Sequence, residues 1–288
     1  MKQSSPISEL SENEARGETR QIYEEIKKLS GVQLVPLVYR HMATFPGVLE
    51  WAWSGLQPIM STGELQYVSC RIANDLKLPT LATAAHSGEQ INIHNEEEII
   101  NVLASFNRVN PINAIALQYL TRFLDSNALT PDVINQKFES HWSLPEPLPN
   151  LLPMPAIDQV DESVLNLIAS IWHRDQDRHS GIWPTLYRYL ATEPAFLALA
   201  ATALSAISPA IDLATEEVRI RVQAAAESLP IVLVKRPSSL FEIEPALRRI
   251  IIEFSSAIPE MLVHGLLLER TYVRRETGEK DLIVPNAS

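Results

Sequence analysis

"GIWPTLYRYLATEP", residues 181–194, restates an earlier stretch, "LVPLVYRHMATFP", residues 34–46. An offset of 148 positions pairs Pro184 with Pro36, Tyr187 and Arg188 with Tyr39 and Arg40, Ala191 and Thr192 with Ala43 and Thr44, and Pro194 with Pro46. It then carries Leu197, Ala200, Leu204 and Ile207 onto Leu49, Ala52, Leu56 and Ile59. After a long gap the register returns: "FSSAIP" (254–259) falls on "FNRVNP" (106–111) and Arg270 on Arg122, while "DLKLP" and "AESLP" correspond after a small length change. This pattern reads as tandem duplication of one unit. Two such units can bury a shared apolar face as a homodimer does, with a pseudo-twofold axis and a cleft where they meet. Clefts of that kind are common places for small-molecule sites.

The unit is helical. The segments "ETRQIYEEIKKL", "EEEIINVLASF", "NAIALQYLTRFL", "ESVLNLIASIWH", "AFLALAATALSAI", "EEVRIRVQAAAESL", "ALRRIIIEFSSAI" and "EMLVHGLLLERTY" carry apolar residues at helical spacing and run long for strands. Glu64, Glu96 to Glu98, Glu216 and Glu217 sit in expected first turns, and helices are expected to open after Pro46, Pro111, Pro194 and Pro259. "LPIVLVKRP" reads as a short buried connector. The fold class is therefore all-α, a duplicated helical unit forming a pseudo-dimer within one chain. The proline-rich stretch "SLPEPLPNLLPMPAID" is stiff and unable to continue a helix. It divides the chain into a first repeat (1–142), a linker (143–158) and a second repeat (159–288).

Composition removes several classes. At 288 residues and 46% hydrophobic, the chain can bury a sizeable core. A formal net charge of −11, with no basic block longer than a pair, argues against a nucleic-acid or membrane surface. No signal-peptide core opens the sequence, and no run approaches the roughly 18 apolar residues of a spanning helix, so cytoplasm is the expected location. One cysteine, Cys70, leaves no disulfide framework or CxxC pair. That also removes the peroxidase chemistry of helical proteins resembling alkylhydroperoxidase. No dinucleotide, P-loop or serine-hydrolase motif is present.

Several residues carry possible chemistry. "HRDQDRH" holds His173, Asp175, Asp177 and His179. It offers metal-ligand atoms, yet its two arginines and loop-like character favour a solvated face, and no metal is expected. Tyr187 and Arg188 are candidates for holding an anionic substrate. Their recurrence as Tyr39 and Arg40 favours scaffold instead, since an asymmetric site needs only one copy. Trp51, Trp53 and Tyr67, at helical spacing in an apolar segment, are expected in the core. Cys70 is expected to be buried and inert.

The opening Gly17, Glu18, Ile22, Tyr23, Glu25, Ile26, Lys27, the stretch "ATFPGVLEWAW" (Ala43 to Trp53) and "FNRVNP" together resemble the DehI family, the group I 2-haloacid dehalogenases that act on both enantiomers. The likeness runs through essentially the whole chain. It implies an active site at the interface of the two repeats. There an aspartate, helped by an asparagine, activates water for in-line attack on the halogen-bearing carbon of a short 2-haloacid. Configuration inverts, and neither cofactor nor ester intermediate is needed. Such chemistry demands a base near the water, a group that orients it, apolar walls and a donor for the carboxylate.

Carried onto this sequence, the resemblance places the water-orienting asparagine at Asn110 and the apolar pocket residues at Leu34 and Leu37. The hydroxyl residue and the aspartate fall on Thr185 and Leu186. The hydroxyl is kept and the carboxylate is not. Leucine can take no proton from water, and general-base catalysis is commonly worth about 10² to 10⁴ in rate. Two expectations follow: a dehalogenase-like hydrolase whose base comes from elsewhere, "HRDQDRH" being the nearest cluster of ionisable groups, or a DehI-fold protein that binds a small carboxylate or apolar ligand without displacing halide. A homodimer is possible; nucleic-acid and membrane partners are not expected.

Overall fold

The computed structural model describes residues 7–81, 94–125, 143–172, 183–230 and 240–273. Among these there is no strand. Helices α1 (Gly17–Ser30), α2 (Leu37–Met42), α3 (Val48–Ser61), α4 (Glu64–Asp75) and α5 (Glu96–Asp125) come first. A 3₁₀ turn (Ile157–Gln159) precedes α6 (Glu162–Trp172), α7 (Thr185–Leu190), α8 (Pro194–Ala206), α9 (Ser208–Ser228) and α10 (Leu240–Leu268), and a π-turn (Glu269–Val273) ends the described chain.

Helix α1 shows how the pattern becomes structure. Ile22, Tyr23, Ile26 and Leu29 recur at helical spacing and are buried on one face. Gly31 stops the helix in the left-handed region, at φ 69°, its N–H bonded to the Lys27 carbonyl. Glycine is required twice over, because a Cβ there would come 2.7 Å from Pro145 Cγ. The proline-rich segment docks at this point: Leu148 N–H and Arg108 Nη1 donate to the Gly31 carbonyl at 2.9 and 3.0 Å. Residues 143–156 contain no helix, as their prolines require.

Helices α5 and α10 make the most extensive helix contact in the fold, and their apolar faces form its centre. Both were expected to break at proline, and neither does. Pro111 lies inside α5 and Pro259 inside α10. Each proline deletes an N–H that would bond a carbonyl four residues back, a loss of about 3 kcal/mol in a helix interior. The flanking apolar residues outweigh it: Phe106, Val109, Ile112, Phe254, Ile258 and Leu262 are all buried, and full burial of one such side chain stabilises by about 1.5–3 kcal/mol. Helix α10 with its π-turn holds the one stretch, Glu244–Val273, long and apolar enough to cross a membrane among the described residues; 78% of its apolar window is buried within the protein.

Other expectations divide. Trp51 and Trp53 are core residues, Trp53 Nε1 donating to Glu25 at 2.7 Å. Tyr67 is not; it is half exposed on α4, because that helix buries Leu65, Ser69 and Ile72 instead. Cys70 is half-buried rather than sealed; Asn74 Nδ2 lies 3.4 Å from its sulfur, and burial pushes the thiol above its ordinary pKa. The stretch 173–179, most of "LPIVLVKRP", His86 and His141 lie outside the described residues.

Candidate functional site

Two prolines set the site. Pro36 and Pro184 are extended, at ψ 144° and 125°, and each is followed by a helix of six residues, α2 and α7. Their fixed φ suits a helix start. The first residues of the two helices, Leu37 and Val38, Thr185 and Leu186, meet the long faces of α5 and α10. Helix α5 contributes Phe106, Val109, Asn110 and Asn113; α10 contributes Phe254, Ala257, Ile258 and Met261. Both sets follow the i, i+3, i+4, i+7 spacing that keeps four side chains on one helix face. With Pro36, Pro184, Leu34 and Trp172 they line a cavity of about 60 Å³.

The lining obeys the sequence offset. Apart from Leu34 and Trp172, every residue in it pairs with another 148 positions away: Pro36 with Pro184, Leu37 with Thr185, Val38 with Leu186, Phe106 with Phe254, Val109 with Ala257, Asn110 with Ile258, and Asn113 with Met261. Three of these pairs match a polar residue with an apolar one. Asn110, Asn113 and Thr185 are polar where Ile258, Met261 and Leu37 are not.

Asn110 and Asn113 are buried, and Asn110 Nδ2 and Asn113 Oδ1 have no hydrogen-bond partner in the protein. A buried polar group left unmatched costs about 1–3 kcal/mol, so these two atoms on one face of α5 are a local cost to the fold. Among the described lining residues there is no Asp, Glu, His, Lys or Arg. Among the described residues no cluster of three potential metal ligands exists.

The structure thus brings Leu34, Leu37, Asn110, Thr185 and Leu186 around one cavity. Leu186 is 1% exposed and places a wholly apolar surface there. Tyr187 and Arg188 do not join them. The Tyr187 hydroxyl lies 2.6 Å from His264 Nδ1 in the core, and His264 Nε2 lies 3.8 Å from Glu260. The Arg188 guanidinium faces Glu9, at 3.5 Å, and burial lowers its pKa, opposed by the Glu9 charge and assisted by Arg40. Phe106, Asn113, Phe254, Ala257, Ile258, Met261 and Trp172 were not expected here. The offset that pairs Phe106 with Phe254, continued one helical turn, reaches most of them.

No family model and no curated protein matches the chain. Solved structures do: a D-2-haloacid dehalogenase mutant (TM-score 0.75, 18% identity, 93% of this chain and 97% of that one) and its complex with D-2-CPA (TM-score 0.72, 17% identity, 95% and 99%). A D-2-haloacid dehalogenase with L-LA gives a TM-score of 0.70 at 16% identity over 93% and 97%. At these identities the likeness is one of fold.

Proposed function

We propose that this chain is a divergent DehI-type protein, built from a duplicated helical unit, that takes a short 2-substituted carboxylic acid in the cavity between its halves and does not displace halide from it. The duplication is supported by helices α2 and α7, which start 148 residues apart at equal length, and by the paired lining of the cavity. The ligand class is supported by the fold shared with D-2-haloacid dehalogenase and by the kept Asn110 and Thr185.

One observation carries the functional half of the reading: Leu186, at the aspartate position, is buried in the cavity wall, and no other described lining residue can act as a base. Asn110 and Thr185 can hydrogen-bond a water or a ligand oxygen, but neither can hold the proton that attack on carbon releases. The remaining walls are aromatic or aliphatic and suit a two- or three-carbon skeleton.

The fold likeness favours a second reading, a working hydrolase whose base comes from residues 173–179. Halide release from racemic 2-chloropropionate by the purified protein separates the two. The binding reading expects no release above buffer. Turnover that is lost in both Asn110→Ala and Asp175→Asn or Asp177→Asn would establish the hydrolase.

A further inference from the structure

We propose that Arg40 and Arg188 form a carboxylate-binding site, separate from the cavity, which the chain's own Glu9 fills as a built-in ligand. The two arginines hold equivalent places in the two copies of the repeated stretch, and neither lines the cavity. Their side chains are 10% and 13% exposed, so two positive charges stand largely out of water. Arg40 Nη1 lies 2.8 Å from Glu9 Oε2, and Arg188 Nη1 lies 3.5 Å from Glu9 Oε1. Among the described residues no second carboxylate comes within ion-pair distance of either arginine. Glu12, three residues on, is engaged by Val35 N–H at 2.9 Å and Lys27 Nζ at 3.2 Å. Guanidinium groups are suited to the two oxygens of a carboxylate, and here one carboxylate answers two of them.

The backbone on either side of Glu9 is held without help from its side chain. The Ser8 carbonyl lies 2.6 Å from His41 Nδ1, Leu10 N–H donates to the Arg40 carbonyl, and the Leu10 carbonyl accepts from the Tyr23 hydroxyl. Ile7 and Leu10 pack against the core. Removing the side chain beyond Cβ therefore leaves the segment in place and opens a gap between the arginines that matches acetate atom for atom. The Glu9 side chain is 24% exposed, which gives that gap a way in from solvent. In the intact chain a tethered carboxylate acts at an effective concentration on the order of millimolar or above, so a free acid enters only when the segment lifts. The N-terminal segment is thus an internal competitor for the site. Helices α2 and α7 carry the arginines and also supply Leu37, Val38, Thr185 and Leu186 to the cavity, so the occupant of the site ties both cavity helices together.

The test is acetate binding by full-length Glu9→Ala, measured by calorimetry at pH 7.5 and constant ionic strength, with acetamide as the uncharged control. The expected result is saturable acetate binding at least about tenfold tighter than by the wild type, with acetamide at least about tenfold weaker than acetate. Glu9→Gln, which fills the gap without charge, should bind none, and Arg188→Met in the Glu9→Ala background should abolish binding. If Glu9→Ala is unfolded in chloride, acetate at the same ionic strength is expected to restore its circular dichroism and acetamide is not. Equal acetate affinity in the wild type and a folded Glu9→Ala protein, acetamide binding as tightly as acetate, binding that survives Arg188→Met, or an unfolded variant that acetate does not restore would each overturn the site.

Discussion

Arg40 and Arg188, which occupy the same place in the two copies of the repeated stretch, close on the two oxygens of one carboxylate: Glu9 Oε2 lies 2.8 Å from Arg40 Nη1 and Oε1 lies 3.5 Å from Arg188 Nη1. The segment that carries Glu9 is strapped across α1 and α2 through Leu10 N–H to the Arg40 carbonyl and the Tyr23 hydroxyl to the Leu10 carbonyl, both at 2.9 Å. Removing one partner of a buried charge pair costs about 3–5 kcal/mol, but Glu9 keeps 24% of its side chain exposed, which reduces the figure to about 2 kcal/mol. Glu9→Gln should therefore lower stability in urea denaturation by about that amount. Arg188→Met should cost less in the Glu9→Gln background than in the wild type.

Asn107 and Gly265 set the closeness of α5 and α10. A Cβ on Gly265 would overlap Asn107 Oδ1, and Asn107 is held by its Nδ2 bond to Glu269 at 2.8 Å. Gly265→Ala is expected to destabilise by about 1–3 kcal/mol despite the better helix propensity of alanine. In an Asn107→Ala background the same change should be neutral or stabilising by about 0.5–1 kcal/mol. Equal costs in both backgrounds would contradict this contact.

The Cys70 thiol is held above its ordinary pKa, by burial first, with the Asn74 contact and Arg108 pulling the other way. Thiolate is the reactive form, so a raised pKa means less of it at any given pH. Alkylation by iodoacetamide at pH 7.5 should be slower than that of an exposed cysteine. Its rate should climb with a midpoint displaced to higher pH.

Tyr187 tests whether the repeated Tyr-Arg pair is scaffold. Its hydroxyl faces the buried His264 rather than the cavity. Tyr187→Phe is predicted to cost about 1–2 kcal/mol of stability, the usual scale for a buried hydrogen bond. Affinity for 2-chloropropionate should stay within about twofold, a difference too small to reflect a lost contact.

Much of the fold is legible in residue order, because apolar periodicity decides which face of α1 or α6 is buried. Pro111 and Pro259 are where that reading goes wrong. Whether a proline ends a helix depends on the packing beyond it, and the α5–α10 contact is visible only once residues 106 and 254 share a core. Helical spacing likewise cannot say that Tyr67 lies on the outer face of α4. At the site, the family resemblance singled out Leu34, Leu37, Asn110, Thr185 and Leu186. Their meeting is tertiary: nothing in local spacing joins residue 110 to residue 185. Asn113 went unnoticed because an asparagine inside an apolar helix carries no motif; only its burial without a partner gives it significance. Glu9 left no signal at all.

The central claim is that the cavity is intact and lacks only its base. Leu186→Asp tests it most directly, with the variant first shown by circular dichroism to fold. The measurement is chloride release from racemic 2-chloropropionate. The account predicts none from the wild type, clear release from Leu186→Asp, and its loss in the Asn110→Ala, Leu186→Asp double variant. Chloride release by the wild type that Asn110→Ala abolishes, or a folded Leu186→Asp protein that releases none, would contradict it.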